Sequence, residues 1–228
     1  MTSTPNLAAI GQLIGDPTRS LMLEMLYDGR DWTASELARA AGISPQTASS
    51  HLRKLVDANL LEVEAQGRHR FFRLAGVDVA EALEALLVLA TQRIERPGIK
   101  RIKNDPLRNA RTCYDHLAGN FGVGLIEQFL HKAFILESED GYRLTEKGNN
   151  LMDDLGIDTL QLRNGRRPFT RKCLDWSERR YHLGGALGAA LATTFLENQW
   201  VRHIDDTRAL LVTAAGKRRL QSIGLTVE

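Results

Sequence analysis

The spacing of apolar residues predicts that the first part of the chain is helical and ends in a hairpin and a long helix. Apolar positions recur every three to four residues in 17–28 and in 45–57, which is the period of a helix with one buried side. Residues 60–65 and 70–74 predict two strands joined by a basic hairpin tip. Residues 78–93 predict a helix that is apolar on more than one face, so we expect part of it to pack on a partner chain.

Cap signals indicate where three of these helices begin. Asp16 and Ser44 are each followed by a proline, which is the arrangement of an N-cap and a first helical residue. Thr33 and Glu36 have the spacing of a capping box that opens a short helix over 34–41. A tight turn containing a glycine separates this helix from the one after Ser44. The pair therefore predicts a helix-turn-helix.

The second half of the chain contains an internal duplication. Cys113 followed by His116 recurs as Cys173 followed by His182, and a Thr-x-x-Gly pattern also occurs once in each copy. Each copy predicts an apolar helix, a short strand pair and a further helix. The predicted fold class is mainly α (α+β), with a winged helix-turn-helix N-terminal domain and a C-terminal domain of two winged-helix-like repeats.

Charge and proline content divide the chain into three predicted regions. Residues 93–111 carry seven Lys and Arg against two acidic residues, interrupted by prolines, which is typical of a linker. We therefore expect a DNA-binding and dimerisation domain over 1–95, a basic linker over 96–111 and a sensor or effector domain over 112–228.

Composition excludes several classes of protein. Charged residues make up 25% and apolar residues 43% of the 228 positions, which excludes a disordered chain, a collagen and a disulfide scaffold. We expect no membrane helix and no secretory signal. With two cysteines in total, the expectation is a reduced, cytoplasmic protein.

The helix over 45–57 has the surface of a DNA-recognition helix. Its apolar residues share one side, and the opposite side carries hydroxyls, Gln46 and Arg53. Gln can pair with adenine and Arg with guanine in the major groove, while a basic hairpin tip suits phosphates. A solvated amphipathic helix is the alternative, but the order of helix, turn, helix and basic wing favours DNA binding. The candidate DNA-binding residues are Ser44, Gln46, Thr47, Ser49, Ser50, Arg53, Lys54, Arg68, His69 and Arg70.

Several linked motifs occur in order between residues 15 and 74. They include Gly15 to Arg19, Gly42 to Leu55, and Gly67-Arg68 ahead of a Phe-Phe-Arg-Leu strand. With these motifs the chain resembles the ArsR family of bacterial winged-helix transcriptional repressors. The resemblance implies a homodimer formed through the first and last helices of the domain. It also implies binding to an inverted-repeat operator on double-stranded DNA, and release by a signal at a second site.

The sequence departs from the metal-sensing members of that family. Their Cys-x-Cys motif would fall in 34–41, which has no thiol, and their His/Asp pairs would fall in 78–93, which has no histidine. We therefore expect no metal at the family positions, and the inducer stays open.

The duplicated cysteines and histidines form a tentative sensor cluster. If the two copies pack symmetrically, Cys113, His116, Cys173 and His182 converge, and their thiolates and imidazoles suit zinc or another thiophilic metal. The spacing of Cys113 and His116 fits one helical turn, whereas that of Cys173 and His182 fits neither a zinc knuckle nor a turn.

Three alternatives to a metal stay open for this region. A redox switch would follow if Arg111, Arg171 and Lys172 lowered the pKa of the neighbouring thiols. Simple packing of buried cysteines would give the same pattern. An anion or organic ligand would need a pocket lined by Arg166, Arg167, Trp176, Arg179, Arg180 and Tyr181.

These observations together predict a dimeric bacterial DNA-binding transcriptional regulator. We expect a repressor that a ligand, metal or redox signal releases from its operator, with a second copy of the chain and an unidentified inducer as partners. A protein-interaction module built on winged helices is the alternative. A Cys/His-dependent enzyme is a weaker one, since no phosphate-binding loop, nucleophile elbow or paired-carboxylate motif accompanies these residues, and we expect no enzyme.

Overall fold

Helices dominate the N-terminal part of the chain, as the apolar pattern predicts. The computed structural model describes residues 6–27, 30–67, 69–93, 106–204 and 207–226. In the N-terminal part the elements, in chain order, are α1 (Leu7–Ile14), α2 (Pro17–Leu26), β1 (Trp32–Thr33), α3 (Ala34–Ala40), α4 (Pro45–Asp57), β2 (Leu61–Gln66), β3 (His69–Leu74) and α5 (Val77–Arg93).

The helix boundaries follow the cap signals of the sequence. The carboxylate of Asp16 accepts a hydrogen bond from the backbone N–H of Arg19, and Thr33 and Glu36 form both hydrogen bonds of the capping box. The side chain of Ser44 caps α4 by accepting from the N–H of Thr47, with a proline at the first helical position. Local sequence therefore sets where α2, α3 and α4 begin.

A three-stranded antiparallel sheet with strand order β1-β3-β2 forms the wing. Strand β1 was not predicted; Trp32 pairs with Phe72 and Thr33 with Phe71. The expected position of the hairpin tip is wrong for two residues, because β3 begins at His69. His69 and Arg70 are strand residues opposite β2, and Gly67 lies in a turn directly after β2.

The buried side of α4 anchors it to the N-terminal core. Ala48, Leu52 and Leu55 are buried, as the helical pattern predicts, and Val56 is half-buried. Burying large aliphatic side chains supplies roughly 1.5–3 kcal/mol each, so this side fixes which face of α4 is left at the surface. The buried apolar residues around them are Met22, Leu23, Leu26, Leu37, Leu61, Phe72 and Leu74.

The two halves of the C-terminal part have the same order of elements. Each half is a strand pair, a long helix, a second strand pair and a shorter helix. The first half and the short helices around it comprise α6 (Pro106–Asn109), β4 (Arg111–Cys113), β5 (His116–Ala118), α7 (Gly119–His131), β6 (Ile135–Ser138), β7 (Gly141–Leu144), α8 (Glu146–Asp154) and α9 (Thr159–Arg163); the second half comprises β8 (Arg171–Leu174), β9 (Tyr181–Gly184), α10 (Gly185–Glu197), β10 (Val201–His203), β11 (Leu210–Val212) and α11 (Ala214–Ser222).

The division into two compact units falls within α5, between Leu83 and Glu84. Residues 96–105 of the predicted linker lie outside the described residues, and the remainder of it forms α6 and the start of β4. No helix among the described residues combines the length and the apolar character that crossing a bilayer requires.

The two halves of the C-terminal unit interlock. Helix α7 packs on β9 of the second half, and α10 packs on β5 of the first. A glycine in each helix also permits the helix to lie close to the strand of its own half. A Cβ on Gly122 would lie 2.4 Å from the carbonyl oxygen of Leu117, and one on Gly188 would lie 2.3 Å from that of Leu183. Both glycines are also next to a histidine of the opposite half, so the helices position the Cys/His cluster.

Candidate functional site

The exposed face of α4 carries the predicted recognition residues. The side chains of Gln46, Ser50, Arg53 and Lys54 are exposed and make no hydrogen bond or ion pair with the rest of the described chain. Their polar ends are therefore available to a ligand outside the chain. A helix surface of amide, hydroxyl and basic groups has the chemistry that reads base edges in the major groove.

The other predicted hydroxyls of α4 are also exposed but already form local hydrogen bonds. Ser44 Oγ lies 2.8 Å from Thr47 Oγ1 and caps the helix. Ser49 Oγ donates to the carbonyl oxygen of Pro45 at 2.9 Å. Each hydroxyl can still accept a hydrogen bond. The positive end of the helix dipole lies at the N-terminus of α4, next to Gln46.

A groove of about 600 Å³ lies between α4 and the wing. Gln46, Ser49 and Arg53 line one side, and Arg70 lines the other. Arg70 and His69 are exposed on β3. Arg68 lies outside the described residues, so its predicted role at the tip has no structural counterpart here. Arg70 of β3 therefore lies across the groove from the polar and basic side chains of α4.

Arg19 is a buried residue of this unit to which sequence reasoning gave no role. Its Nε donates to the carbonyl oxygen of Leu13 at 2.6 Å, and its Nη2 donates to that of Gln12 at 2.7 Å. Its Nη1 lies 3.3 Å from Nδ1 of His51 on α4. These contacts link α1, α2 and α4, so Arg19 and His51 position the recognition helix from its inner side.

The tentative sensor residues lie on two hairpins, not on helices. Cys113 pairs directly across from His116 in β4–β5, and Cys173 pairs directly across from His182 in β8–β9. The prediction that Cys113 and His116 span a helical turn is therefore wrong. The 173–182 spacing is explained by the longer loop of the second hairpin, and the two pairs are structurally equivalent.

The two hairpins bring all four side chains together. The Sγ atoms of Cys113 and Cys173 are 3.8 Å apart, and the Nε2 atoms of His116 and His182 are 3.2 Å apart. The four candidate ligand atoms all lie within 4.8 Å of one another. Cys173 is partly buried and the other three are buried. The predicted convergence of the cluster is therefore confirmed.

Two carboxylates adjoin the cluster, and sequence reasoning missed both. Asp115 Oδ1 lies 3.2 Å from Nδ1 of His116, and Asp175 Oδ2 lies 3.2 Å from Nδ1 of His182. Each aspartate follows a cysteine by two positions, in Cys113-Tyr-Asp and Cys173-Leu-Asp. That repeated spacing is the signal that identifies them.

Each carboxylate is held by an arginine from another segment. Both guanidinium nitrogens of Arg167 donate to Asp115. Arg111 Nη2 lies 3.0 Å from Asp175, and the side chains of this second pair are completely buried. Asp175 also accepts the N–H of Gly119 at 2.7 Å. These bonds fix the carboxylates against the imidazoles and leave them little freedom to move.

The electrostatics of the cluster contradict the expected activation of Cys113 by basic neighbours. Burial raises the pKa of the Cys113 thiol to about 12, and its hydrogen bond with Cys173 adds to the increase. Arg111 is directed at Asp175 rather than at the thiol. In this arrangement the surroundings of Cys113 favour the protonated thiol over the thiolate.

The histidines and carboxylates favour their charged forms. Burial acts to lower the pKa of His182, but the carboxylate of Asp175 beside its Nδ1 outweighs burial, and that pKa rises to about 9. The pKa of His116 is also raised, because its interactions with Cys113 and Asp115 outweigh burial. Burial acts to raise the pKa of Asp115, but His116 and Arg167 lower it to about 2. Burial also acts to raise the pKa of Asp175, but His182 and Arg111 outweigh burial, and that pKa lies well below its usual range.

The residues proposed for an anion pocket are partly engaged elsewhere. Arg167 pairs with Asp115, and Arg180 Nη1 lies 2.6 Å from Glu127. The guanidinium of Arg111 lies 4.6 Å from the centre of the Trp176 ring. Arg167 and Arg180 therefore form ion pairs, and Trp176 stacks on Arg111, so these three side chains do not line a shared cavity.

Comparison with known proteins identifies the family of this chain. Residues 14–64 match the family described as a helix-turn-helix domain. Over 213 residues the chain is 44% identical to an uncharacterized HTH-type transcriptional regulator, YdfF, of Bacillus subtilis (strain 168); the match covers 93% of this chain and 94% of that protein. The chain belongs to the HTH-type transcriptional regulators. In its N-terminal motifs this DNA-binding regulator is ArsR-like.

Two further proteins are similar to part of this HTH-type regulator. The HTH-type transcriptional regulator Rv0324 of Mycobacterium tuberculosis (strain ATCC 25618 / H37Rv) is 28% identical over 88 residues, which cover 39% of this chain and 38% of that protein. The homodimeric winged helix-turn-helix DNA-binding domain Mb0332 of Mycobacterium bovis is 25% identical, with a TM-score of 0.37; the match covers 44% of this chain and all of that one. The descriptions of the two curated relatives name transcriptional regulators and not enzymes.

Proposed function

We propose that this regulator is a homodimeric repressor that binds an inverted-repeat operator and is released by a signal received at the Cys/His cluster. The observation that carries the DNA-binding part is the exposed face of α4, where amide, hydroxyl and basic groups with no internal partner border the groove beside the wing. We assign base recognition to Gln46 and Arg53, and phosphate contacts to Lys54 and Arg70. These assignments extend the DNA-binding role of the family to individual residues.

Replacing Arg53 with alanine is expected to weaken specific operator binding by about 1–3 kcal/mol, because a bidentate contact to guanine is lost. The operator is first selected from a pool of random duplexes with the full chain and then titrated at fixed salt. Binding to unrelated DNA should change far less than binding to the operator, since the proposed contact reads a base.

Lys217→Ala is the matched control for Arg53→Ala. Lys217 is an exposed residue of α11, and its replacement removes the same charge from the chain. This variant should bind the operator as the wild type does. Equal losses for both variants would show a general charge effect and would remove Arg53 from the base-reading residues.

Two helices expose the apolar side chains that dimerisation requires. Helix α1 exposes Leu7 and Ile10, and α5 exposes Leu86 and Leu89. Neighbouring apolar side chains that are exposed on one side of a helix, such as Leu86 and Leu89, are typical of a protein–protein contact. A second copy of the chain is the proposed partner, in agreement with the pattern of residues 78–93.

The cluster is proposed to receive the signal, with zinc or another thiophilic metal ion as the inducer. Two thiols and two imidazoles are the donor set that such ions prefer. All four candidate positions are protein side chains, so a bound ion would have no open coordination position for a substrate. This is the argument for a sensor and against an enzyme at the same residues.

Cys113→Ser and Cys173→Ser are expected to retain wild-type affinity for the operator and to lose its release by Zn²⁺. The reason is that the thiols belong to the C-terminal unit, whereas the proposed DNA contacts all belong to α4 and the wing. The measurement is operator titration of metal-free protein with and without added Zn²⁺. Normal release in both variants would exclude the thiols as the signal site.

A further inference from the structure

Two edges of the Cys/His cluster have the lengths expected in a tetrahedral metal site. With zinc–nitrogen bonds of about 2.05 Å and zinc–sulfur bonds of about 2.3 Å, tetrahedral geometry separates two nitrogens by about 3.3 Å and two sulfurs by about 3.8 Å. The observed separations are 3.2 Å for the Nε2 atoms of His116 and His182 and 3.8 Å for the Sγ atoms of Cys113 and Cys173. Both of these edges match the tetrahedral values, and all four ligand atoms lie within 4.8 Å of one another.

The orientation of the imidazoles is the second, independent observation. The Nδ1 atom of each ring faces a carboxylate, which favours an N–H at that atom. The Nε2 atoms of His116 and His182 are then left facing each other in a buried space. Two ring nitrogens directed at one point, with both thiols beside them, are the arrangement that a cation would stabilise.

The carboxylates that orient the rings are themselves fixed. Asp115 is held by both nitrogens of the Arg167 fork. Asp175 is held by Arg111 and accepts three further bonds at Oδ1, from the backbone N–H and the hydroxyl of Ser177 and from the N–H of Glu178. Rigid support of this kind is expected for the outer shell of a metal site, where it sets ligand orientation and affinity.

We propose that Cys113, His116, Cys173 and His182 bind one Zn²⁺ ion through Sγ and Nε2, with Asp115 and Asp175 as the positioning residues of the two histidines. Each half of the duplication supplies one thiol, one imidazole and one carboxylate, so the ion joins the two halves. Binding releases to solvent the two thiol protons and the Nε2 proton of each histidine that is charged, and it changes no oxidation state. The inference deepens the signal site of the proposed function and rests on that function only for its consequence at the operator.

Cobalt binding tests this assignment directly, because Co²⁺ in a four-coordinate thiolate site has intense absorption bands. Metal-free full-length chain is titrated with Co²⁺ without oxygen, and Zn²⁺ is then added. We expect the bands to saturate at one ion per chain and to be removed by one equivalent of Zn²⁺. Weak bands typical of six-coordinate cobalt, or no saturation, would overturn the proposal.

Asp115→Asn tests the positioning residues. Asp115 is chosen because its carboxylate is partly exposed, whereas that of Asp175 is completely buried and more central to folding. We expect Zn²⁺ affinity, measured by competition with a chelator, to fall about 10–100-fold while the cobalt band positions stay unchanged. Asp175→Asn should weaken binding in the same way if it folds. Asp154→Asn removes an exposed carboxylate paired with Arg219 and should leave the affinity unchanged. If Asp115→Asn binds Zn²⁺ as tightly as the wild type, Asp115 has no positioning role.

Two companion measurements separate this inference from its rivals. A thiol count after exposure to air should return both cysteines as reduced in the zinc-loaded chain; a Cys113–Cys173 disulfide there would favour a redox site instead. Operator affinity of the metal-free chain is measured separately. If the metal-free chain does not bind the operator although the chain shows the cobalt bands, the proposed function is contradicted and the metal site stands. If the metal-free chain binds the operator but no four-coordinate cobalt bands form, the metal site alone is contradicted.

Discussion

Replacing Arg111 with methionine is expected to lower the free energy of unfolding of the C-terminal unit by about 3–5 kcal/mol. The Arg111 guanidinium is completely buried, with Nη2 3.0 Å from the equally buried carboxylate of Asp175. Methionine fills similar space but leaves the carboxylate without its cation, and an uncompensated buried charge is among the most destabilising changes in a protein. Arg111→Lys keeps the charge without the planar fork, so we expect it to recover part of the loss.

Urea unfolding of the metal-free full chain measures this effect. In a Trp32→Phe background the two remaining tryptophans, Trp176 and Trp200, both report on the C-terminal unit. Arg180→Met is the matched control, because Arg180 pairs with Glu127 where both side chains are about half exposed, at 49% and 48%. Exposed ion pairs contribute about 0–1 kcal/mol to the free energy of unfolding. Similar losses in Arg111→Met and Arg180→Met would contradict the buried-pair argument.

The N-terminal unit was largely predictable because its signals are local. The caps at Asp16, Thr33 and Ser44 and the helical apolar period fixed three helices to within about two residues. Strand β1 was not predictable in the same way. It has two residues and forms only by pairing with β3, some 40 positions later. No pattern within β1 itself therefore predicts it.

The hairpins of the cluster show where local patterns are ambiguous. A spacing of three between Cys113 and His116 fits one turn of a helix and also fits opposite positions across a tight hairpin. The turn consists of Tyr114 and Asp115, and Tyr114 has a φ of +57°. It lacks the Asn-Gly or Asp-Gly pair that usually predicts such a turn. Only the packing of the two halves decides between these structures.

The convergence of the four ligands was predictable, but their support was not. Matching Cys and His positions in two copies implies that a symmetric packing brings them together, and the distances confirm it. The Arg111–Asp175 pair joins residues 64 positions apart, and charge patterning alone placed Arg111 beside a thiol. Long-range ion pairs of this kind follow from the fold and not from the neighbours in the sequence.

The second large effect is expected at the proposed dimer contact. Leu86 and Leu89 are exposed on α5 at 42% and 50%, and residues three apart lie on the same side of a helix. Replacing both with glutamate should give a monomer in sedimentation analysis, because two charges cannot be buried against a second copy. Affinity for the inverted repeat should then fall about 10²–10⁴-fold, since the second half-site is no longer bound intramolecularly.

A matched double variant separates dimer loss from a general effect of added charge. Leu136 and Leu160 are exposed at 44% and 75% in the C-terminal unit, and replacing both with glutamate adds the same charge. This control should remain a dimer and bind the inverted repeat as the wild type does. Binding to an isolated half-site should be similar in all three proteins, because α4 and the wing are unchanged. A Leu86/Leu89 variant that is monomeric yet keeps full affinity for the inverted repeat would show that one copy suffices, and the proposed two-fold arrangement on the operator would be wrong.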